Sequence, residues 1–154
     1  MNKEIVNVNS DELIQLVGEA IHNGGNIRIT VVGNSMYPFL RNRIDSAVLF
    51  SPNEIRKNDV LFYLRPDGRC ILHRCVGIKN GEYIMCGDNE TEKEYGIRRD
   101  NIIAAASAFY REDKKITDST WWYGLYKLLW CDMFALRPFW CLIIKGIRKI
   151  KRSI

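Results

Sequence analysis

The residues able to do acyl-transfer chemistry occur in this chain in one order: Ser35, then His73, then the carboxylates Asp88 and Glu94. A serine hydroxyl is a weak nucleophile at neutral pH. It needs a base within hydrogen-bond reach and donors for the oxyanion. There are two histidines. His22 precedes Asn23-Gly24-Gly25, where a helix ends and a cationic ring suits its dipole, so it reads as structural. His73 lies in an apolar run, on the strand face shared by Ile71 and Cys75, with Arg74 on the other. Taken singly, each residue also has a plainer reading: Ser35 as turn chemistry, His73 as a satisfied core histidine, Asp88 as a turn aspartate.

The elements that must position these groups are legible from periodicity. Ser10-Asp11-Glu12 precedes Leu13, Leu16, Val17, Ala20 and Ile21 at helical spacing, and Gly24-Gly25 closes the run. In "NIRITVV" Ile27, Ile29 and Val31 alternate with Arg28 and Thr30, as in a half-buried strand over 26–32 that delivers Ser35. Further strands are expected at 46–50, 59–64, 70–78, 82–86 and 101–110. They are separated by Pro52-Asn53, Pro66-Asp67-Gly68, Asn80-Gly81 and Gly87-Asp88-Asn89. Short strands at close spacing with no helix between them predict a mostly β chain, a compact antiparallel barrel or sandwich. Three segments follow: an N-terminal helix over 1–25, a β domain over 26–115 and an aromatic, basic tail over 119–154.

At 154 residues, 47% hydrophobic and 27% charged, the chain is of single-domain size and not disordered. The net charge of +5 is concentrated in Lys145, Arg148, Lys149, Lys151 and Arg152, at the C-terminus. No nucleic-acid reading module accompanies it, and nucleic acid is not expected as a partner. Five cysteines form no CxxC pair, which argues against a disulfide framework and a zinc site, and for reduced thiols used as small apolar residues. The N-terminal stretch carries charges where a secretory signal needs an apolar core.

The tail holds all four tryptophans. Lys127, Asp132, Arg137 and Pro138 interrupt it, so it is a poor membrane span. Phe139, Trp140, Ile143, Ile147, Ile150 and Ile154 share a helical face opposite Lys145, Arg148, Lys149 and Arg152, the layout of an interfacial helix on anionic lipid. A helix packed on the β domain with a solvated basic face is the alternative.

Four blocks in order, "GNSMYPFL", "KNDVLFYL", "ILHRCVGI" and "CGDNE", resemble the signal-peptidase and LexA-like serine peptidases (the S24/S26 family) over about residues 26–110. Many members use lysine as the base. With His73 before Arg74, this chain is closest to the histidine-base branch of endoplasmic-reticulum and sporulation-type signal peptidases. The resemblance implies a signal-peptidase-like β fold and a serine endopeptidase cleaving a peptide or precursor protein through an acyl-enzyme. It makes Ser35 the nucleophile and His73 the general base, with Asp88 as the orienting acid and Glu94 as the alternative. It implies no cofactor and no metal. An imidazole, with its ordinary pKa of about 6.5, serves as base without the deep burial a lysine requires.

Three departures qualify the resemblance. In the histidine branch the orienting acid lies several residues beyond the Gly-Asp pair, where this chain has Glu92 and Glu94 in place of an aspartate. Many signal peptidases carry a serine two positions before the nucleophile, where this chain has Gly33; the oxyanion would rest on backbone N–H groups at Ser35, helped by Asn34, with Gly33 clearing space. Met36, Tyr37 and Pro38 are expected to wall the substrate pocket. Relatives also carry a membrane anchor before the serine, whereas the membrane-seeking segment here is C-terminal. The expected location is therefore membrane-associated at the cytoplasmic face through Trp140, Lys145, Arg148, Lys149 and Arg152, with an extracytoplasmic site left open. The alternatives are a LexA-like self-cleaving regulator and a non-catalytic membrane-associated module of the same fold.

Overall fold

Asp11 and Glu12 in the first turn and His22 in the last complement the dipole of α1 (Ser10–His22), and its Val17 is fully buried against the sheet. In this computed structural model the described residues are 10–133 together with Phe139 and Leu142. Eight strands follow α1: β1 (Ile27–Thr30), β2 (Ser46–Phe50), β3 (Val60–Leu64), β4 (Cys70–Lys79), β5 (Glu82–Cys86), β6 (Glu94–Ile97), β7 (Ile102–Arg111) and β8 (Lys114–Ile116). All pairings are antiparallel. The order is β1-β2-β7-β3-β4-β5-β6, with β8 on β7, so the sheet is open with β1 and β6 at its ends.

The mostly β antiparallel architecture is as expected from short strands at close spacing with no helix between them. The runs at 46–50 and 82–86 form strands at those bounds, and the others differ by one or two residues at their ends. β6 and β8 are additions. Each is only three or four residues long, too short to carry a hydrophobic period, and pairing with β5 and β7 is what extends them.

Two buried clusters are formed. One packs Val17, Met36, Phe39, Leu40, Val60 and Phe62 with Tyr123. The other contains Leu61, Tyr63, Cys75 and Met85. Successive residues of β3 and β4 alternate between them, which sends His73 and Arg74 into different surroundings.

The described part of the tail folds onto the first cluster. α2 (Trp121–Tyr126) continues as a π-helix (Lys127–Asp132), burying Tyr123 and Cys131. Phe39 stacks on Tyr123 at 4.8 Å and on Tyr126 at 5.2 Å between ring centroids. Trp140, Lys145, Arg148, Lys149 and Arg152, expected to meet a membrane, lie outside the described residues. No described helix is long and apolar enough to cross a membrane. Among the described residues no two cysteines are bonded to each other, and Cys75, Cys86 and Cys131 are buried.

Candidate active site

The hairpin of β3 and β4 turns through Pro66-Asp67-Gly68 and pairs Leu61 with His73 and Tyr63 with Ile71. His73 thus shares a face with Leu61 and, diagonally, Tyr63. It is 2% exposed. Its Nδ1 lies 2.9 Å from Glu94 Oε1 and 3.4 Å from the Tyr63 hydroxyl. Arg65, just beyond β3, donates from Nε to Glu94 Oε2 at 2.7 Å and from Nη2 to the other oxygen, a two-pronged grip that fixes the carboxylate.

Protonation follows from these partners. Burial alone would raise the Glu94 pKa, but Arg65, Tyr63 and His73 outweigh it and hold the carboxyl below its ordinary value. An ionised Glu94 is an acceptor only, so the imidazole hydrogen is assigned to Nδ1 and the lone pair to Nε2. Burial holds His73 below its ordinary value, against the opposite pull of Glu90 and Glu94. The result is a neutral, oriented imidazole at neutral pH. That is the state a general base requires.

Asp88, the first choice for the orienting acid, is placed elsewhere. Its oxygens accept from Arg74 Nε at 2.8 Å and Arg74 Nη2 at 2.7 Å, with both side chains fully buried. The Tyr126 hydroxyl donates to Asp88 Oδ2 at 3.0 Å. Arg74 also donates to the Tyr123 hydroxyl and to the Asn58 carbonyl. Burial opposes the Arg74 charge, and the Asp88 carboxylate more than compensates, raising the guanidinium pKa further. Adjacent strand residues face opposite sides, so the acid paired with Arg74 is not the one that reaches His73. Glu94, the alternative, is the carboxylate at the ring.

Ser35 lies in the loop after β1 and is half-buried. Its carbonyl accepts from the Asn89 N–H at 2.7 Å. One residue on, Glu90 brings Oε2 to 3.7 Å from His73 Nε2. Gly87 closes the neighbourhood. A Cβ there would stand 2.7 Å from the Ser35 carbonyl oxygen and 3.0 Å from the Glu90 carboxylate, so only glycine fits without displacement. The serine loop, the 87–90 loop and the His73 edge therefore adjoin. Among the described contacts, His73 and Ser35 share no hydrogen bond.

The other expected site residues divide. Gly33 has φ 96, and a Cβ there would meet nothing within 4 Å, so the space before Ser35 is open. Its N–H is committed to Asn42 Oδ1 at 2.9 Å and is not an oxyanion donor. Asn34 is exposed, and its carbonyl accepts from the Tyr37 N–H. Met36 is a correction: at 1% exposed it belongs to the core and cannot wall an open pocket, because the loop turns it inward with Phe39 and Leu40. Tyr37 and Pro38 remain half-buried at the surface, joined by a cis peptide bond.

His73, Glu90 and Glu94 are close enough together to suggest a cation site. The ring argues otherwise. Glu94 is at Nδ1 and already held by Arg65, while Glu90 is at Nε2, the opposite edge of the imidazole, so only Nε2 and Glu90 present donors not engaged by Arg65. Two ligands fall short of the three or four protein ligands typical of zinc.

Sequence reasoning passed over Tyr63, Arg65 and Glu90. Counting the β3–β4 register outward from the turn would have found Tyr63. Nothing local marks Arg65 or Glu90, which reach the site through loops. Compared with protein-family models, curated proteins and solved structures, the chain matches none of them.

Proposed function

We propose that the chain is a serine endopeptidase with the fold and chemistry of the signal-peptidase and LexA-like family, cleaving a peptide or precursor protein through an acyl-enzyme at Ser35. The observation that carries this reading is the state of His73: neutral, buried and held at Nδ1 by Glu94, with Nε2 on the side of the loop that bonds the Ser35 carbonyl. In the proposed cycle His73 Nε2 takes the Ser35 hydroxyl proton as Oγ attacks the scissile carbonyl. Glu94 steadies the imidazolium that forms, and the proton passes to the leaving amine. Water then repeats the sequence to release the acyl group. Substrate would add to β1, an edge strand that runs into the Ser35 loop. The basic tail would hold the enzyme on a membrane surface at the cytoplasmic face.

The test is incubation of wild type, Ser35→Ala and His73→Ala with a synthetic tetradecapeptide library, read by mass spectrometry. Wild type should cleave a subset of peptides, and both variants should lose turnover while melting near the wild-type temperature. Cleavage by Ser35→Ala at the wild-type rate defeats the proposal. Loss of intact mass in wild type alone, with every peptide spared, selects self-cleavage; no cleavage of either kind selects a non-catalytic module.

A further inference from the structure

The tail helix does more than cover the core. Its inner face contacts both strands of chain that build the candidate site. On one side Tyr123 and Tyr126 stack against Phe39, four residues after Ser35. On the other, the Tyr126 hydroxyl reaches Asp88 Oδ2 at 3.0 Å, and Trp130 Nε1 donates to the Asp88 backbone carbonyl at 2.8 Å. The peptide N–H formed with that carbonyl is that of Asn89, which holds the Ser35 carbonyl at 2.7 Å. One amide plane therefore has Trp130 on its oxygen and Ser35 on its hydrogen.

We infer that Tyr126 and Trp130 are positioning residues for Ser35, acting through the Asp88–Asn89 peptide. Trp130 and Tyr126 stack at 6.1 Å and 13° between planes, so the two rings present one packed face to Asp88. Trp130 sits within the π-helix, whose extra residue per turn changes the direction of side chains after Tyr126. Rotating the 88–89 peptide swings its N–H away from Ser35, and with it the following residue, Glu90, at the edge of His73. An amide plane gripped from both ends cannot rotate freely. The serine loop is thereby held from its carbonyl side by the C-terminal segment.

The catalytic part of this inference rests on the peptidase reading; the coupling of helix to loop does not. Trp130→Phe and Tyr126→Phe keep the stacked rings and delete one donor each. In full-length protein, amide hydrogen exchange should quicken at Asn89 and across 33–37 in both variants, with β3, β4 and β7 unchanged. Turnover of the best-cleaved library peptide should fall about tenfold in kcat with KM unchanged, the signature of a lost interaction made in the transition state. Trp130→His, which can present a ring N–H again, should recover part of the protection at Asn89. Unchanged exchange at Asn89, or a uniform rise across the sheet with a lower melting temperature, overturns the inference whatever the activity. Quickened exchange in a protein that cleaves no peptide upholds the coupling and removes the peptidase reading instead.

Discussion

Glu94 Oε1 lies 2.9 Å from His73 Nδ1, though 21 residues separate them and a nearer aspartate is on offer. β6 brings them together: it pairs Glu94 with Met85 on β5, and β5 pairs Met85 with Cys75 on β4, two residues from His73. The two carboxylates, Glu94 and Asp88, should therefore fail in different ways.

Replacing Glu94 by Gln keeps the shape and removes the charge that, in the proposed cycle, would steady the imidazolium. Peptide turnover should fall by about two to four orders of magnitude, as when the acid of a serine triad is neutralised, with little change in melting temperature. Steady-state kinetics beside a thermal melt reads both.

Replacing Asp88 by Ala leaves the Arg74 charge buried without its partner. The expected cost is about 3–5 kcal/mol of stability, a large part of what a domain of this size has. Urea denaturation should show it, and an Asp88→Ala protein as stable as wild type would remove Asp88 from its scaffold role.

The pH dependence has a defined sign. Burial lowers the His73 pKa below 6.5, so the imidazole stays neutral further into acid than a free histidine. Activity should then persist below about pH 6.5 and be lost as pH falls through the lower folded value. Stability should follow the same direction: below about 6.5 the unfolded chain binds a proton that the folded one refuses, so folding weakens until the folded value is passed. Arg65 contributes to the lowering, and Arg65→Gln should move the acid limb of kcat/KM upward.

Gly87→Ala places a methyl group where 2.7 Å separates it from the Ser35 carbonyl oxygen. The serine loop must give way, at about 1–3 kcal/mol. Labelling of Ser35 by a fluorophosphonate should be lost well before the fold is. Labelling at the wild-type rate would show that the contact is relieved without moving the serine.

Much of this was legible beforehand, for physical reasons particular to each element. β2 and β5 are short apolar runs followed or flanked by turn residues, Pro52-Asn53 after β2 and Asn80-Gly81 and Gly87-Asp88-Asn89 around β5, so their ends are readable. β6, with Glu94 and Gly96 in four residues, has neither, and its place comes from pairing alone. The order of Ser35, His73 and the carboxylates was visible because each sits in a distinctive local stretch. Which carboxylate serves the histidine was not. Asp88 has the more conspicuous neighbours, but only the alternation of β4 decides that Arg74 claims it. Met36 follows Ser35 in sequence, but nothing local shows that its loop folds back into the core.

The alternation of His73 and Arg74 makes β4 a two-track strand: one track carries the proposed base, the next the buried arginine that Asp88 holds. A single-residue insertion between the Gly68 turn and His73 would offer the imidazole to Asp88, and a deletion there would offer the guanidinium to Glu94. Length changes should thus be tolerated better in a turn remote from the site, such as Asn80-Gly81, than anywhere within that interval. Point substitutions on either track can vary independently, because the two acids belong to separate segments.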